Sequence, residues 1–450
     1  METMENMLDQ NEPGRGKRAS IYTLGCSLNQ SESNLLVNTL RNAGYEIVPF
    51  GQPADLGIIN TCTVTGRADA KSRHMVRSFI RKNPHAFTAV IGCYSQMGHK
   101  QLMEIEGLDL IVGNQEKLNV LAYVGKEKNP EPLLVRDRIE RKDFTIGVNA
   151  GESPVTRPNL KIQEGCDFMC SFCIVSFARG RARSRSFDNL IAEAERLAGS
   201  GAREIVLTGV NVGVYNHEGR DITAVLDALD AIPGIDRLRV SSLEPSTIPE
   251  TMLERMADPA HGLLPYLHIP VQSGSDRVLT LMKRHYTRAE YLAFVERAAR
   301  EVPDLCLGAD VLVGMPGETE EDFDATCDLL RNSPITYAHV FTYSDRPGTA
   351  SSRYADKVDT GTINRRGAVA RGISKEKRQA FRESQLGSVQ SVLLEYENDG
   401  VWLGYTGNYL WTAVRSKEGY RNAIVPVRLE EAHEDCVTGS IHETQYAGAI

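Results

Sequence analysis

Between residues 19 and 130 short apolar runs alternate with amphipathic stretches. SIYTLG (20–25), ADLGIIN (54–60) and FTAVIG (87–92) predict strands, with helices over 30–43 and 67–82. Alternation of this kind implies a parallel sheet with crossover helices. Residues 131–155 carry Pro, Gly and charge and predict a linker. A second series begins near Leu160. NLKIQ, EIVLTG, RLRVSS, YLHIPV, LGADVLVG and AHVFTY predict strands separated by helices, for example 187–199 and 287–301. Six successive β/α units predict a partial or full barrel. After Thr349 the pattern changes. Residues 363–382 read as a basic helix, and VQSVLLEYE, VWLGYT, YLWTAVR, NAIVPVRLE and CVTGSI as short strands with turns between them. That spacing predicts a small all-β barrel.

The expected fold is therefore α/β. A disordered lead-in (1–18) precedes an N-terminal open parallel α/β domain (19–130) and a linker (131–155). A central β/α barrel with its basic helix (156–383) and a small β-barrel (384–450) follow. A chain of 450 residues exceeds one ordinary core, which agrees with several domains. No apolar run reaches the roughly 20 residues of a membrane helix. The first residues are polar, with no apolar core of a signal peptide.

Composition narrows the function. The net charge is −8, so any nucleic-acid contact must come from local basic patches. Nine cysteines, an odd number, argue against a disulfide framework and for metal or redox chemistry in a reducing cytosol.

EGCDFMCSFCI places Cys166, Cys170 and Cys173 directly after the first predicted strand of the second series. Thiolate sulfur is the preferred ligand of iron–sulfur clusters. Three ligands leave one iron of a four-iron cluster open to a small molecule. The alternative is zinc, which ordinarily wants a fourth ligand and paired C-x2-C units. Cys26, Cys62 and Cys93 each lie just past a predicted parallel strand. Strand ends gather at one edge of an open α/β sheet, so these three thiolates are expected to meet in a second site. The alternative is three buried core cysteines. Recurrence at the same place in successive units favours a cluster. Cys306, Cys327 and Cys436 follow no such pattern.

The motifs around these cysteines resemble the methylthiotransferase family of radical-SAM enzymes. TLGCSLNQSES (23–33), INTCTVT (59–65), IGCYSQ (91–96), IPVQSGSDRVLTLMKR (269–284) and GADVLVGMPGETEEDF (308–323) carry the likeness, with Phe172 just before Cys173. It runs from Ser20 to about Ile441. Members act on an adenosine beside the tRNA anticodon or on a ribosomal-protein aspartate. NTCTVT and IQEGCDFMCSFCIVSFARG look most like the subgroup acting on N6-threonylcarbamoyladenosine at tRNA position 37. The isopentenyladenosine and ribosomal-protein groups are the alternatives. Ser27 stands where the subgroup often has Lys, and Ser176-Phe177 replaces a commoner Pro-aromatic pair.

The resemblance implies two [4Fe-4S] clusters, with S-adenosyl-L-methionine as both methyl donor and radical source. It also implies a tRNA substrate and a low-potential donor such as flavodoxin or ferredoxin. Cysteine usage predicts a cytoplasmic protein, the apolar runs predict no membrane, and a monomer is the default. No general acid or base is implied. The last module resembles a TRAM domain, an RNA-binding β-barrel. Trp402, Tyr405, Tyr409, Trp411 and Tyr420 crowd it, either to stack on bases or to pack.

Residues at barrel strand ends face the cofactor. Gln163, Thr208, Gly209, Ser242, Glu244, Gln272 and Asp310 are candidates there, with Val311 and Val313 for packing against adenine. Arg179, Arg181, Arg183 and Arg185 follow the cluster loop as either a solvated face or a phosphate-binding run. Arg67, Lys71, Arg73, Arg77 and Arg81 recur along the helix after Cys62. Arg365, Arg366, Arg371, Lys375, Lys377, Arg378 and Arg382 form a third patch. Local patches on an acidic chain fit RNA. Two rivals from other classes are an iron–sulfur scaffold or electron carrier, and an RNA-binding protein with structural zinc.

Overall fold

The computed structural model describes residues 14–147 and 156–442. Residues 1–13 of the expected lead-in, 148–155 of the expected linker and 443–450 lie outside the described residues. The N-terminal domain runs β1 (Arg18–Thr23), α1 (Ser27–Asn42), β2 (Glu46–Ile47), β3 (Leu56–Thr61), α2 (Gly66–Lys82), β4 (Phe87–Gly92), α3 (Cys93–Met97), α4 (His99–Met103), β5 (Leu110–Val112) and β6 (Leu133–Val135). All six strands are parallel, in the order β2-β1-β3-β4-β5-β6. Ile58, Ala89 and Ile91 pack into one core, and Ile59, Val90 and Ile111 into another. Successive residues point to opposite faces and both faces are covered, so the strands read as continuous apolar runs.

Two boundaries move. β6 comes from the expected linker and pairs with β5 through Leu110↔Leu133. Farther on, Phe144 bridges to Arg185, and the Asn189 side chain holds Ile146. At the other end, Gly14 to Lys17 form a hydrogen-bonded turn and Arg18 already begins β1.

The central domain opens with β7 (Asn159–Lys161), β8 (Gln163–Glu164), α5 (Val175–Arg179), β9 (Arg183–Ser184), α6 (Phe187–Gly199) and β10 (Glu204–Thr208). A small hairpin, β11 (Asn216–His217) and β12 (Arg220–Asp221), precedes α7 (Ile222–Asp230), β13 (Arg237–Val240), α8 (Glu250–Ala257) and β14 (Tyr266–His268). Then come α9 (Asp276–Leu281), α10 (Arg288–Glu301), β15 (Cys306–Val313), α11 (Glu320–Asn332), β16 (Tyr337–Thr342) and α12 (Thr360–Ser384). Strands β13-β10-β7 and β14-β15-β16 form two parallel sheets. Leu238↔Leu263 and the bond from Leu243 N to His268 O join them into an open arc, a partial barrel. Leu307, Ala309, Val311 and Val313 of β15 pack outward among the helices. The alternate residues, including Asp310 and Leu312, take the inner face.

The last module is a closed barrel of β17 (Val389–Asn398), β18 (Val401–Thr406), β19 (Trp411–Arg415), β20 (Ala423–Ala432) and β21 (Val437–Ile441). Val392, Leu394, Val414, Val425, Val427 and Val437 fill it. It docks on the central domain through Arg237, which donates to Tyr405 O and Ser391 O, and Arg239, which donates to Gly407 O. No helix among the described residues is long and apolar enough to cross a membrane.

Candidate active site

The first cysteine loop leaves β8 at the mouth of the partial barrel. Gly165 has φ +72°, and a Cβ there would meet Arg181 O at 2.0 Å, so only glycine starts this loop. Cys166 N donates to Gly180 O, Cys173 N to Cys170 O, and Ser171 pins the loop to Leu281 O and Met282 O. Phe172 packs against Val278, Met282, Leu312 and Met315. Burial, then repulsion between the sulfurs, pushes Cys166 up to about 11 and Cys173 up to about 12. Thiols grouped under that penalty suit a cationic group that takes them as thiolates.

The second triad rests on three adjacent strands. Cys26 caps α1, Cys62 follows β3 and Cys93 begins α3. The pairings Thr23↔Asn60 and Thr61↔Gly92 bring the strand ends level. A Cβ on Gly25 (φ +108°) would come within 2.9 Å of Cys62 Cβ, so the Cys26 turn sits directly on Cys62. Burial raises Cys62 to about 11, and charge on Cys93 and Cys26 adds to it. Among the described residues no three His, Cys, Asp or Glu side chains are drawn in around a single metal ion. Loop and strand-end position define the triads.

The two sites are tied together. Asn114 Nδ2 donates to Ala178 O at 2.6 Å, just past the first loop, and reaches Cys93 Sγ at 3.6 Å. Beside it lies a buried ionic cluster. Glu32 and Lys117 come from the N-terminal domain; Lys161, Glu164 and Arg179 come from the barrel. Arg179 also bonds Asn29 Oδ1. Burial works against the Glu164 carboxylate, but Lys161, Lys117 and Arg179 outweigh it and hold its pKa at about 2.

This network corrects the reading of the arginine run. Arg179, Arg183 and Arg185 are 2%, 7% and 0% exposed. Arg179 and Arg183 pair with Glu164, and Arg185 with Glu193, so none of the three is open to a phosphate. Arg181 is exposed and pairs with Asp167. The α12 patch is also partly internal. Arg366 is buried against Glu318 and Glu320, and Lys377 donates to Arg331 O and Ser333 O. Arg365 and Lys375 are exposed and paired with Glu320 and Glu434. Arg378 lies over the Tyr337 ring.

The expected cofactor positions divide. Glu244 pairs with Arg284, which donates to Cys170 Sγ at 3.3 Å. Asp310 Oδ1 meets His268 Nε2 at 3.0 Å on the inner face. Gln272 has φ +65° and donates its N–H to Asp310 O. Ser242 is half-buried. Gln163 instead braces the loops: it accepts from Val210 N and Asn211 N and donates to Glu164 O and Gly165 O. Thr208 is buried and bonded to Asn159, and Gly209 closes on Gln163, so both support the loop. Val311 and Val313, expected to pack against adenine, lie in the outer core, while Leu312 joins the cluster that packs Phe172.

Sequence reasoning missed Arg284, Asn114 and Arg346. Arg346, past β16, donates to Thr63 Oγ1 and Asp69 Oδ2 and holds the Cys62 loop. Their side-chain types recur throughout the chain, and only the fold sets them beside cysteines.

A three-cysteine loop at the strand-end mouth of a partial β/α barrel defines the class: a radical-SAM enzyme. Residues 160–330 match the Radical SAM superfamily, and residues 18–113 match Uncharacterized protein family UPF0004. The chain is 35% identical over 428 residues to the threonylcarbamoyladenosine tRNA methylthiotransferase MtaB of Bacillus subtilis (strain 168), covering 92% of this chain and 94% of that one. It is 34% identical over 415 residues to the MtaB of Aquifex aeolicus (strain VF5), covering 92% and 99%. Among solved structures, the radical S-adenosylmethionine methyltransferase TsrM from Kitasatospora setae shares the fold, at TM-score 0.52 and 16% identity over 74% of this chain and 77% of that one. The chain belongs to the MtaB family of threonylcarbamoyladenosine tRNA methylthiotransferases. Radical-SAM membership implies a [4Fe-4S] cluster and S-adenosylmethionine.

Proposed function

We propose that this chain adds a methylthio group to C2 of the adenine in N6-threonylcarbamoyladenosine at position 37 of tRNA. The observation that carries the reading is the pairing of two cysteine triads at neighbouring strand ends, joined by Asn114. Cys166, Cys170 and Cys173 would hold one four-iron cluster, and Cys26, Cys62 and Cys93 a second. When bound, the clusters and S-adenosylmethionine supply sulfur, a methyl group and a 5′-deoxyadenosyl radical, which suits a C–H bond with no acidic proton.

The chain's own residues position these parts. Arg284 and Glu244 fix polar groups beside Cys170, and Phe172 keeps water from one side of the loop. The Glu32–Arg179–Glu164 cluster holds the two domains in one orientation. Asp310, Gln272 and Ser242 are the inner-face groups available to polar parts of the cofactor. The C-terminal barrel would grip RNA in the manner of a TRAM domain. A flavodoxin or ferredoxin would deliver electrons to a cytoplasmic monomer.

The test is nucleoside mass spectrometry. tRNA bearing N6-threonylcarbamoyladenosine is incubated anaerobically with reconstituted enzyme, reductant, S-adenosylmethionine and a sulfur source. The 2-methylthio derivative is expected. Product only on isopentenyladenosine tRNA or on a ribosomal protein would overturn the substrate assignment.

A further inference from the structure

A cleft of about 530 Å³ opens beside the first cysteine loop and the helix that Cys93 begins. Met169, between Cys166 and Cys170, lines it, as do Phe177 past Cys173 and Gln96 past Cys93. The remaining wall is the segment after β6, from the stretch expected to be a linker. A substrate carbon that both triads must serve has to lie where both are in reach, and this cleft touches the first loop at Met169 and the helix after Cys93 at Gln96.

Its chemistry is distinctive. Arg136, Arg138, Arg141 and Arg181 line it, against one carboxylate, Asp137. Arg136 is anchored, its Nε donating to Gln96 O at 2.8 Å. Arg138 and Arg141 are exposed and make no ion pair or hydrogen bond with the described residues. The Arg181–Asp167 contact is long, at 3.4 Å, and exposed, and pairs of that kind are readily exchanged. Amid these cations Phe177 is 43% exposed and Met169 36% exposed. A flat apolar side chain among guanidinium groups suits a nucleobase that carries an anion.

We propose that this cleft is the modified-nucleoside site, in which Phe177 stacks on the base while Arg138 and Arg141 bind the carboxylate of its threonylcarbamoyl group. The inference rests on the proposed function and names what reads that substrate. C2 and the N6-bearing C6 of adenine flank the same ring nitrogen. A pocket that offers C2 to the cysteine loops therefore also encloses the N6 group. The volume is that of a site for one nucleoside with its substituent. A guanidinium fork matches a carboxylate in two parallel bonds.

The same fork also matches a backbone phosphate, and the test separates the two. Three anticodon stem-loop RNAs are compared by fluorescence anisotropy at fixed salt. They carry threonylcarbamoyladenosine, its methyl ester or plain adenosine. The protein is the full reconstituted chain, as wild type, Arg138→Ala/Arg141→Ala and Phe177→Ala. Melting curves confirm folding, which substitution of two exposed, unpaired arginines leaves intact. Wild type is expected to prefer the free carboxylate over the ester by roughly ten- to hundredfold. The arginine variant is expected to bind the two alike, and Phe177→Ala to weaken all three RNAs. Equal weakening of all three RNAs in the arginine variant, with a shallower salt dependence, would assign Arg138 and Arg141 to backbone phosphates and overturn the proposal. Binding like wild type in every variant would overturn it as well. A failure of the function reading looks different: wild type itself would form no methylthio product on the threonylcarbamoyl RNA.

Discussion

Arg284 donates to Cys170 Sγ at 3.3 Å while its other amino group closes an ion pair on Glu244. Burial opposes the Arg284 charge, but Tyr286, Glu244 and Cys170 outweigh it, so the guanidinium stays charged beside the sulfur. Hydrogen bonds and charge at a sulfur ligand raise a cluster's reduction potential. Arg284→Leu is therefore expected to lower the potential of the cluster at Cys166, Cys170 and Cys173 by tens of millivolts, up to roughly 100 mV. An anaerobic redox titration followed by electron paramagnetic resonance reads this directly. An unchanged potential would leave Arg284 with only the ion pair.

The triads give the coarsest test. Wild type is expected to hold about eight irons after reconstitution, falling to about four when Cys166, Cys170 and Cys173 become Ala. That variant should form no 5′-deoxyadenosine. Replacing Cys26, Cys62 and Cys93 should remove the other four irons and the methylthio product, with cofactor cleavage retained. About four irons in wild type falling to none would leave the N-terminal cysteines without a cluster and end the two-site reading.

The ionic cluster between the domains predicts an acid limb in stability. Glu164 has a folded pKa of about 2, below its ordinary value of 4.5. The folded state therefore favours its charged form. The stability it adds is complete above the ordinary value and is lost as pH falls from about 4.5 to about 2. Melting temperature should drop across that window, and less steeply in Glu164→Gln. Arg179→Ala should cost about 3–5 kcal/mol at neutral pH, because it leaves buried Glu32 and Glu164 short of a partner. A melting temperature in Arg179→Ala equal to wild type would show that the cluster does not hold the domains.

The same cluster shows where sequence reading stops. Cysteine spacing is a local signal: Cys26, Cys62 and Cys93 follow the ends of three parallel strands, and Cys166, Cys170 and Cys173 share the loop after β8. One partner of Arg179 is Glu32, in another domain and 147 positions away, and no local pattern reveals it. Three buried arginines therefore looked like an RNA-facing run. β15 misled for a different reason. Apolar residues stand on both its faces, so they do not say whether Val311 or Leu312 faces the cofactor. β6 is a three-residue edge strand with exposed leucines, and it resembled a linker for want of a buried pattern.

The aromatics of the C-terminal barrel were open to stacking on bases or to packing, and the structure sorts them. Trp402 is buried, with Nε1 donating to Glu418 O. Tyr409 packs on Tyr266 of the central domain. Deleting residues 384–450 would uncover Tyr266 and strip partners from Arg237 and Arg239, so loss of binding after deletion would not isolate an RNA contact. Tyr396 is the better probe. It is 51% exposed at the irregularity of β17 and lies 5.7 Å from the Trp411 ring. Trp411 in turn packs on Tyr405, over which Arg157 sits at 4.3 Å. A strip of rings beside a cation is a surface on which bases stack. Tyr396→Ala is expected to weaken tRNA binding by about 5- to 100-fold, the equivalent of one base's stacking. The slope of affinity against salt should stay as in wild type, since stacking displaces no phosphate counterions. Affinity unchanged from wild type would remove this strip from the RNA path.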